Sequence, residues 1–342
     1  MSEDYSTMQF RAVVDWLELE IQTTKPTNFM TIQKKLRVIL CLPECVNPYV
    51  KPLNAGDGGT ATIFTLRIQD PERYHIIEST LNSLALALEY EITARPTAVE
   101  VALDAYNSTP EQAERFCKYS TSPIKIENCR IYREHGLDAT QWIPLRPNTL
   151  TKHLQEGWQV ALGHDKDDYR QHVYFKMKDR CKDLPAEEHR ARIEVTLKGN
   201  ALPFQTLEEL KHFKFSDLSE FFQFRMLKPD LTPLGQITSD NSPRIGARRS
   251  TKRKEGGGVR AFSRLTLADT ALNTHARTAL KELARRWTVR PKRQNQTSKP
   301  IAENIEIGGI TEDFAPESPN KDGEFTSRPK YLLCNSLNTT PK

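Results

Sequence analysis

The chain has 342 residues with 37% hydrophobic and 8% aromatic content, which is enough to bury the core of about two domains and excludes a wholly disordered protein. No apolar run approaches the roughly 20 residues of a membrane span. The opening residues MSEDYSTMQFRAVV lack a basic stretch followed by an apolar core, so the reading is a cytoplasmic protein with no membrane contact. The net charge of +5 conceals an asymmetry: residues 241–293 carry fifteen Lys or Arg against three acids, a surplus of twelve, and all other positions sum to −7. Positive charge at that density is the footprint of contact with a polyanion, most often nucleic acid.

Along the chain, residues 10–21 read as a strand, 29–36 as a helix and 37–42 as a second strand. Residues 61–68 alternate cleanly as a strand. Asp70-Pro71 then suits the start of a helix reaching about 89, because Asp accepts orphan amide bonds and Pro fits the first helical position. Residues 98–106 form the next strand, and Ser108-Thr109-Pro110-Glu111 supplies a capping box for a helix through 118. Strands at 158–162 and 172–178 flank a polar turn. A helical stretch at 206–227 places Leu207, Leu210, Phe213, Leu218, Phe221 and Phe222 for packing against a sheet. Residues 228–258 are rich in Pro, Ser, Arg and Gly and read as a mobile linker; a helix at 267–287 and a polar tail beyond 293 complete the chain. The fold class is α+β with a mainly antiparallel sheet. Six cysteines offer only Cys41-Leu42-Pro43-Glu44-Cys45 as a metal-like spacing, and no second pair completes it; the thiols read as inert in a reducing compartment.

Acids on apolar strands stand out, because a buried carboxylate must be paired or coordinated. Glu100 and Asp104 are four apart, so on a period-two strand both project from one face. Glu194, inside Arg192-Ile193-Glu194-Val195-Thr196-Leu197, shares its side with Arg192 and Thr196. Asp15 is a further candidate, with a face assignment complicated by Trp16 and Glu18. No Gly-x-x-x-x-Gly-Lys-Ser/Thr, no Gly-x-Ser-x-Gly and no His-hydrophobic-His run occurs, which argues against an ATP-driven helicase, a serine hydrolase and the nickases that bind metal through that His triplet.

Two runs carry a resemblance. Gly163-His164-Asp165-Lys166-Asp167-Asp168-Tyr169-Arg170-Gln171-His172-Val173-Tyr174-Phe175-Lys176 is followed by Arg192-Ile193-Glu194 and Gly199. The pair resembles the replication initiation factors that start rolling-circle replication of filamentous phages and small plasmids, whose pattern reads roughly Gly-Ser-Arg-Lys-Ser-x-Tyr-x-x-Arg-Ile-Tyr-Asp-Lys and then Arg-x-Glu-x-x-x-x-Gly. Asp165 stands where that family has a basic residue, His172 replaces an arginine and Phe175 an acid. The resemblance implies a pseudo-duplicated sheet and an enzyme that nicks one strand at an origin, forms a 5′-phosphotyrosine and later rejoins the strand. Tyr169 would be the nucleophile, with Tyr174 as the alternative. Lys166, His172 and Lys176 would contact the scissile phosphate, and Glu194 with Glu100 and Asp104 would hold Mg2+ or Mn2+.

On this reading residues 1–230 form the catalytic domain, 231–262 a basic flexible linker, 263–290 a basic helix and 291–342 a disordered tail. Arg248, Arg249, Lys252, Arg253, Lys254, Arg285 and Arg286 would contact DNA. Partners would be origin DNA, single-stranded or supercoiled, and a host helicase and polymerase; a homodimer is compatible with the sequence. Two alternatives stay open: a relative that binds DNA without nicking and regulates replication or transcription, motivated by the three departures, and an interaction protein whose basic segment recruits host factors.

Overall fold

The computed structural model describes residues 5–56, 60–121, 129–133, 149–179, 182–227 and 266–288. Their centre is an eight-stranded sheet in which every neighbouring pair is antiparallel. In chain order the elements are β1 (Gln9–Asn28), α1 (Phe29–Ile39), β2 (Val50–Pro52), β3 (Thr60–Gln69), α2 (Tyr74–Leu88), β4 (Ile92–Tyr106), α3 (Pro110–Tyr119), β5 (Cys129–Arg133), α4 (Thr149–Gln155), β6 (Trp158–Leu162) and β7 (Tyr169–Lys176). There follow a two-strand hairpin, β8 (Lys178–Asp179) and β9 (Lys182–Asp183), then β10 (Arg190–Lys198), α5 (Leu207–His212), β11 (Arg225–Leu227), β12 (Thr266–Ala268) and α6 (Thr270–Thr288).

The spatial order is β2-β3-β1-β4-β10-β7-β6-β5. In the first half α2 carries the chain from β3 across β1 to β4, whereas the strands of the second half run as neighbours; the long β4 and β10 join the halves along nine paired residues. The α+β class and the antiparallel sheet thus agree with the sequence reading.

Alternation decides the two faces. Val99, Val101, Leu103 and Ala105 of β4 and Ala191, Ile193, Val195 and Leu197 of β10 point into the core, where the described helices pack. On β1 the parity changes, since Ala12 and Val14 are buried and then Leu17, Leu19 and Ile21. A bulge between Val14 and Trp16 causes it: one extra residue, Asp15, keeps both itself and Trp16 on the polar face. Its carbonyl accepts the Asp70 amide at 2.8 Å. Asp70 therefore serves the bulge, with φ of 47°, and does not cap α2, which starts four residues later without a side-chain cap.

Other expectations shift for local reasons. The strand expected at 37–42 is the last turn of α1 and the bend that follows. The single helix expected at 206–227 divides into α5, a 3-10 segment (Phe215–Phe222) and β11. Phe215, Leu218 and Phe221 recur every three residues, a stripe that a three-residue turn keeps on one side and a 3.6-residue helix does not. Thr109, with Gln112, makes the capping box of α3.

Helix α6 enters the core. Leu272, Ala276, Ala279, Leu280, Leu283 and Trp287 are buried, and Trp287 Nε1 donates to the Leu210 carbonyl at 3.2 Å while its ring meets Phe215 edge-on at 5.0 Å. Among the described residues no helix is long and apolar enough to cross a membrane.

Candidate active site on the polar sheet face

Strand register brings the candidate residues together. Glu194 of β10 lies opposite Ala102 of β4 and His172 of β7, Arg192 opposite Asp104 and Tyr174, and Thr196 opposite Glu100 and Arg170. All these side chains project from the face away from the helices. Of these, Glu100, Arg170, His172, Tyr174, Arg192, Glu194 and Thr196 line an open groove of about 1230 Å³ that also includes Asp15, Trp16, Arg67, Gln159, Asp165 and Lys176. One atom each from Glu100, His172 and Glu194 lies within 4.8 Å of the others. The Tyr174 hydroxyl donates to Glu194 Oε1 at 2.6 Å, and His172 Nδ1 is 3.6 Å from Glu194 Oε2. Thr196 Oγ1 donates to Glu100 Oε2 at 2.5 Å.

Burial and neighbouring charges set the electrostatics of this cluster. Burial pushes Glu100 up to about 8, the charges of Glu194 and Asp15 add to that, and hydrogen bonds from Thr196 and Trp16 offset part of it. Burial acts the same way on Glu194, but the His172 hydrogen bond and the Arg192 charge outweigh it and hold that carboxyl down at about 2. Asp15 is pushed up to about 6 by burial and by Glu194, against Arg192. Burial lowers His172, so its imidazole is neutral near pH 7, the form a metal requires. Two carboxylates side by side with one neutral imidazole could hold a divalent ion.

A pH dependence follows. Glu100 titrates higher in the folded chain than unfolded, so without a metal its contribution to stability falls as pH rises from about 4.5 to about 8. A metal must displace that proton. Affinity for Mn2+ is therefore expected to rise about tenfold per pH unit between pH 6 and 8 and then level off, with proton release seen calorimetrically in buffers of different ionisation enthalpy. Affinity flat across that window would contradict the assignment.

Asp104 is placed differently from Glu100 and Glu194. It is 1% exposed and receives Arg192 Nε on Oδ1 at 2.5 Å and Nη2 on Oδ2 at 2.7 Å, with Arg190 Nε 3.1 Å from Oδ1. Both oxygens are occupied by guanidinium, which makes Asp104 a buried ion-pair partner. Arg192 also donates to Asp15 Oδ1 at 2.7 Å and lies 3.5 Å from Glu194 Oε1. It links three carboxylates, a role the sequence reading missed.

The two tyrosines separate. Tyr169 pairs with Leu197 on the core side, is 2% exposed and stacks on Phe221 with ring centres 5.5 Å apart. It does not reach the carboxylates, whereas Tyr174 does. Burial and the Glu194 charge raise the Tyr174 phenol well above its ordinary value. Lys166 is exposed on the turn outside the groove, while Lys176 lies in it, 2.6 Å from Asp179 Oδ1. The two glycines of the motif have backbone reasons: Gly163 has φ of 86° and a Cβ there would sit 2.7 Å from the Tyr169 carbonyl oxygen, and Gly199 has φ of 52°. Arg286 donates to the Ala12 carbonyl at 2.5 Å and Arg285 is exposed; Arg248, Arg249, Lys252, Arg253 and Lys254 lie outside the described residues. Cys41 and Cys45 are free thiols at the surface.

No protein-family model and no curated protein matches the chain. Among solved structures it is similar to a rolling circle replication initiator protein from Geobacillus stearothermophilus, at 15% identity and a TM-score of 0.33, covering 71% of this chain and 100% of that one. It is also similar to aspartate kinase from Synechocystis, at 8% identity and a TM-score of 0.18, covering 83% of this chain and 57% of that one. At such low overlap neither likeness bears on function, which rests on the site itself.

Proposed function

We propose that the chain is a replication initiator of the rolling-circle type, which nicks a DNA strand through Tyr174 and rejoins it. The observation that carries this reading is the Tyr174 hydroxyl donating to Glu194 within the Glu100-His172-Glu194 cluster, on an open groove. The two sequence runs quoted above support it. A tyrosine nucleophile keeps the phosphodiester energy in a phosphotyrosine, so the strand can later be resealed.

In the forward step Glu194 orients the phenol through its hydrogen bond, the Tyr174 proton passes to water in the open groove, the phenolic oxygen forms a bond to phosphorus, and the bond from phosphorus to the 3′ oxygen breaks, with that oxygen taking a proton from water. Rejoining reverses the step, with the 3′ hydroxyl attacking the phosphotyrosine. Glu100, His172 and Glu194 would hold the divalent ion, which when bound polarises the phosphate oxygens and offsets negative charge. Before cleavage the phenol keeps its proton, since burial and Glu194 both raise it. Tyr174 in place of Tyr169 is part of the proposal, because only the former shares a face with the carboxylates. Origin DNA, a separate helicase and a polymerase are the partners this role needs, and Arg285 with the basic residues at 248–254 would add phosphate contacts.

The test incubates the full chain with supercoiled and single-stranded forms of its own replicon, with and without Mg2+ or Mn2+. A metal-dependent nick with an SDS-stable adduct is expected. Specific binding with no nick under either metal would instead support a DNA-binding regulator.

A further inference from the structure

The groove is not a preformed positive channel. Four of its basic side chains meet acids: Arg67 meets Glu18 at 2.8 Å, Arg192 meets Asp104, Asp15 and Glu194, Arg170 meets Asp165 at 2.7 Å and Lys176 meets Asp179 at 2.6 Å. The last two pairs have a common design. Arg170, His172, Tyr174 and Lys176 alternate along one face of β7. Arg170 and Lys176 therefore flank Tyr174, about 14 Å and 7 Å from it along the strand. Each flanking cation meets a carboxylate from the segment at its own end of β7, the turn at 163–168 before it and β8 after it.

In both pairs the acid is the more exposed partner. Asp165 is 76% exposed against 24% for Arg170, and Asp179 is 46% exposed against 11% for Lys176. The Asp165 turn is held from below, because Lys198 Nζ donates to the Asp165 carbonyl and the Lys198 amide to the Asp168 carbonyl at 2.9 Å. The carboxylate thus projects outward from a fixed turn onto its arginine. Ion pairs this open are weak and exchange readily, and a strand phosphate offers the same guanidinium and ammonium groups a more strongly charged oxygen set.

Resting on the nicking reading above, we propose that Asp165 and Asp179 are place-holders for two phosphates of the bound single strand, one on either side of Tyr174. Binding exchanges each carboxylate for a phosphate on Arg170 and Lys176. The groove then discriminates against stray polyanions, since a ligand must displace both acids at once to lie along β7.

The test measures binding of a labelled single-stranded origin oligonucleotide by fluorescence anisotropy across a salt series, with EDTA present to suppress cleavage. Asp165→Asn and Asp179→Asn should each tighten binding by about 3- to 5-fold and the double variant by about 10- to 20-fold. The slope of log affinity on log salt should steepen by about 0.7 per freed cation. Arg170→Gln in the Asp165→Asn background should return the affinity to the wild-type value or below. Unchanged or weaker binding by both single variants, with the wild type still nicking, overturns the place-holder proposal alone. Tighter binding by the variants in a chain that never nicks overturns the nicking reading and leaves the place-holders standing.

Discussion

Tyr174→Phe is expected to abolish both nicking and the covalent adduct, a loss of about 10⁴-fold or more, because it removes the phenolic oxygen that would form the bond to phosphorus. The fold should survive. The variant loses one hydrogen bond to a charged acceptor, the 2.6 Å contact with Glu194, worth about 1.5–3 kcal/mol, and leaves the ring in place. Metal affinity should stay close to wild type, since Glu100, His172 and Glu194 are untouched. Tyr169→Phe is the matched control. It keeps the ring stacked on Phe221 and should nick normally, whereas Tyr169→Ala should destabilise by about 3–5 kcal/mol through the cavity it opens. Activity assays with urea unfolding of the three variants separate chemistry from packing.

The second large effect is on stability. Arg192→Met leaves Asp104, 1% exposed, without its two-bonded partner and removes the cation beside Asp15 and Glu194. Breaking one side of a buried pair costs about 3–5 kcal/mol, a large part of a typical domain's stability. Arg190 does not rescue the loss, because its Nε approaches Asp104 without hydrogen-bond alignment. Replacing both partners, Arg192→Met with Asp104→Leu, should recover most of the loss, since apolar groups of similar volume are tolerated where a lone charge is not. Equilibrium urea unfolding of the singles and the double measures this. A single variant within about 0.5 kcal/mol of wild type would mean that Arg192 does not hold the face together.

Strand parity explains what the sequence revealed. Glu100 and Glu194 were legible because acids on apolar strands are rare and their even positions fix the polar face once β4 and β10 pair. The same rule, applied to β7, groups Arg170, His172, Tyr174 and Lys176 and sets Tyr169 on the other side. The preference for Tyr169 followed the order of a motif, whereas the two-residue period of β7 sets that residue on the core side. Asp104 was legible as an acid on the correct face, but only register across the sheet shows that Arg192 closes it off. Asp15 was ambiguous because a bulge breaks the period within β1, and nothing local in the residues 13–17 marks an extra residue there. The C-terminal helix was visible from its apolar stripe, yet its place in the core depends on Trp287 meeting Phe215 and Leu210, contacts made over some seventy residues of separation.

The most direct measurement maps the covalent adduct. Trypsin cuts after Lys166, Arg170 and Lys176, so it places Tyr169 and Tyr174 on different peptides of the SDS-stable complex formed with origin DNA and Mn2+. Mass spectrometry after nuclease digestion should find the residual nucleotide on residues 171–176, which contain Tyr174. A nucleotide on residues 167–170, which contain Tyr169, would contradict the account.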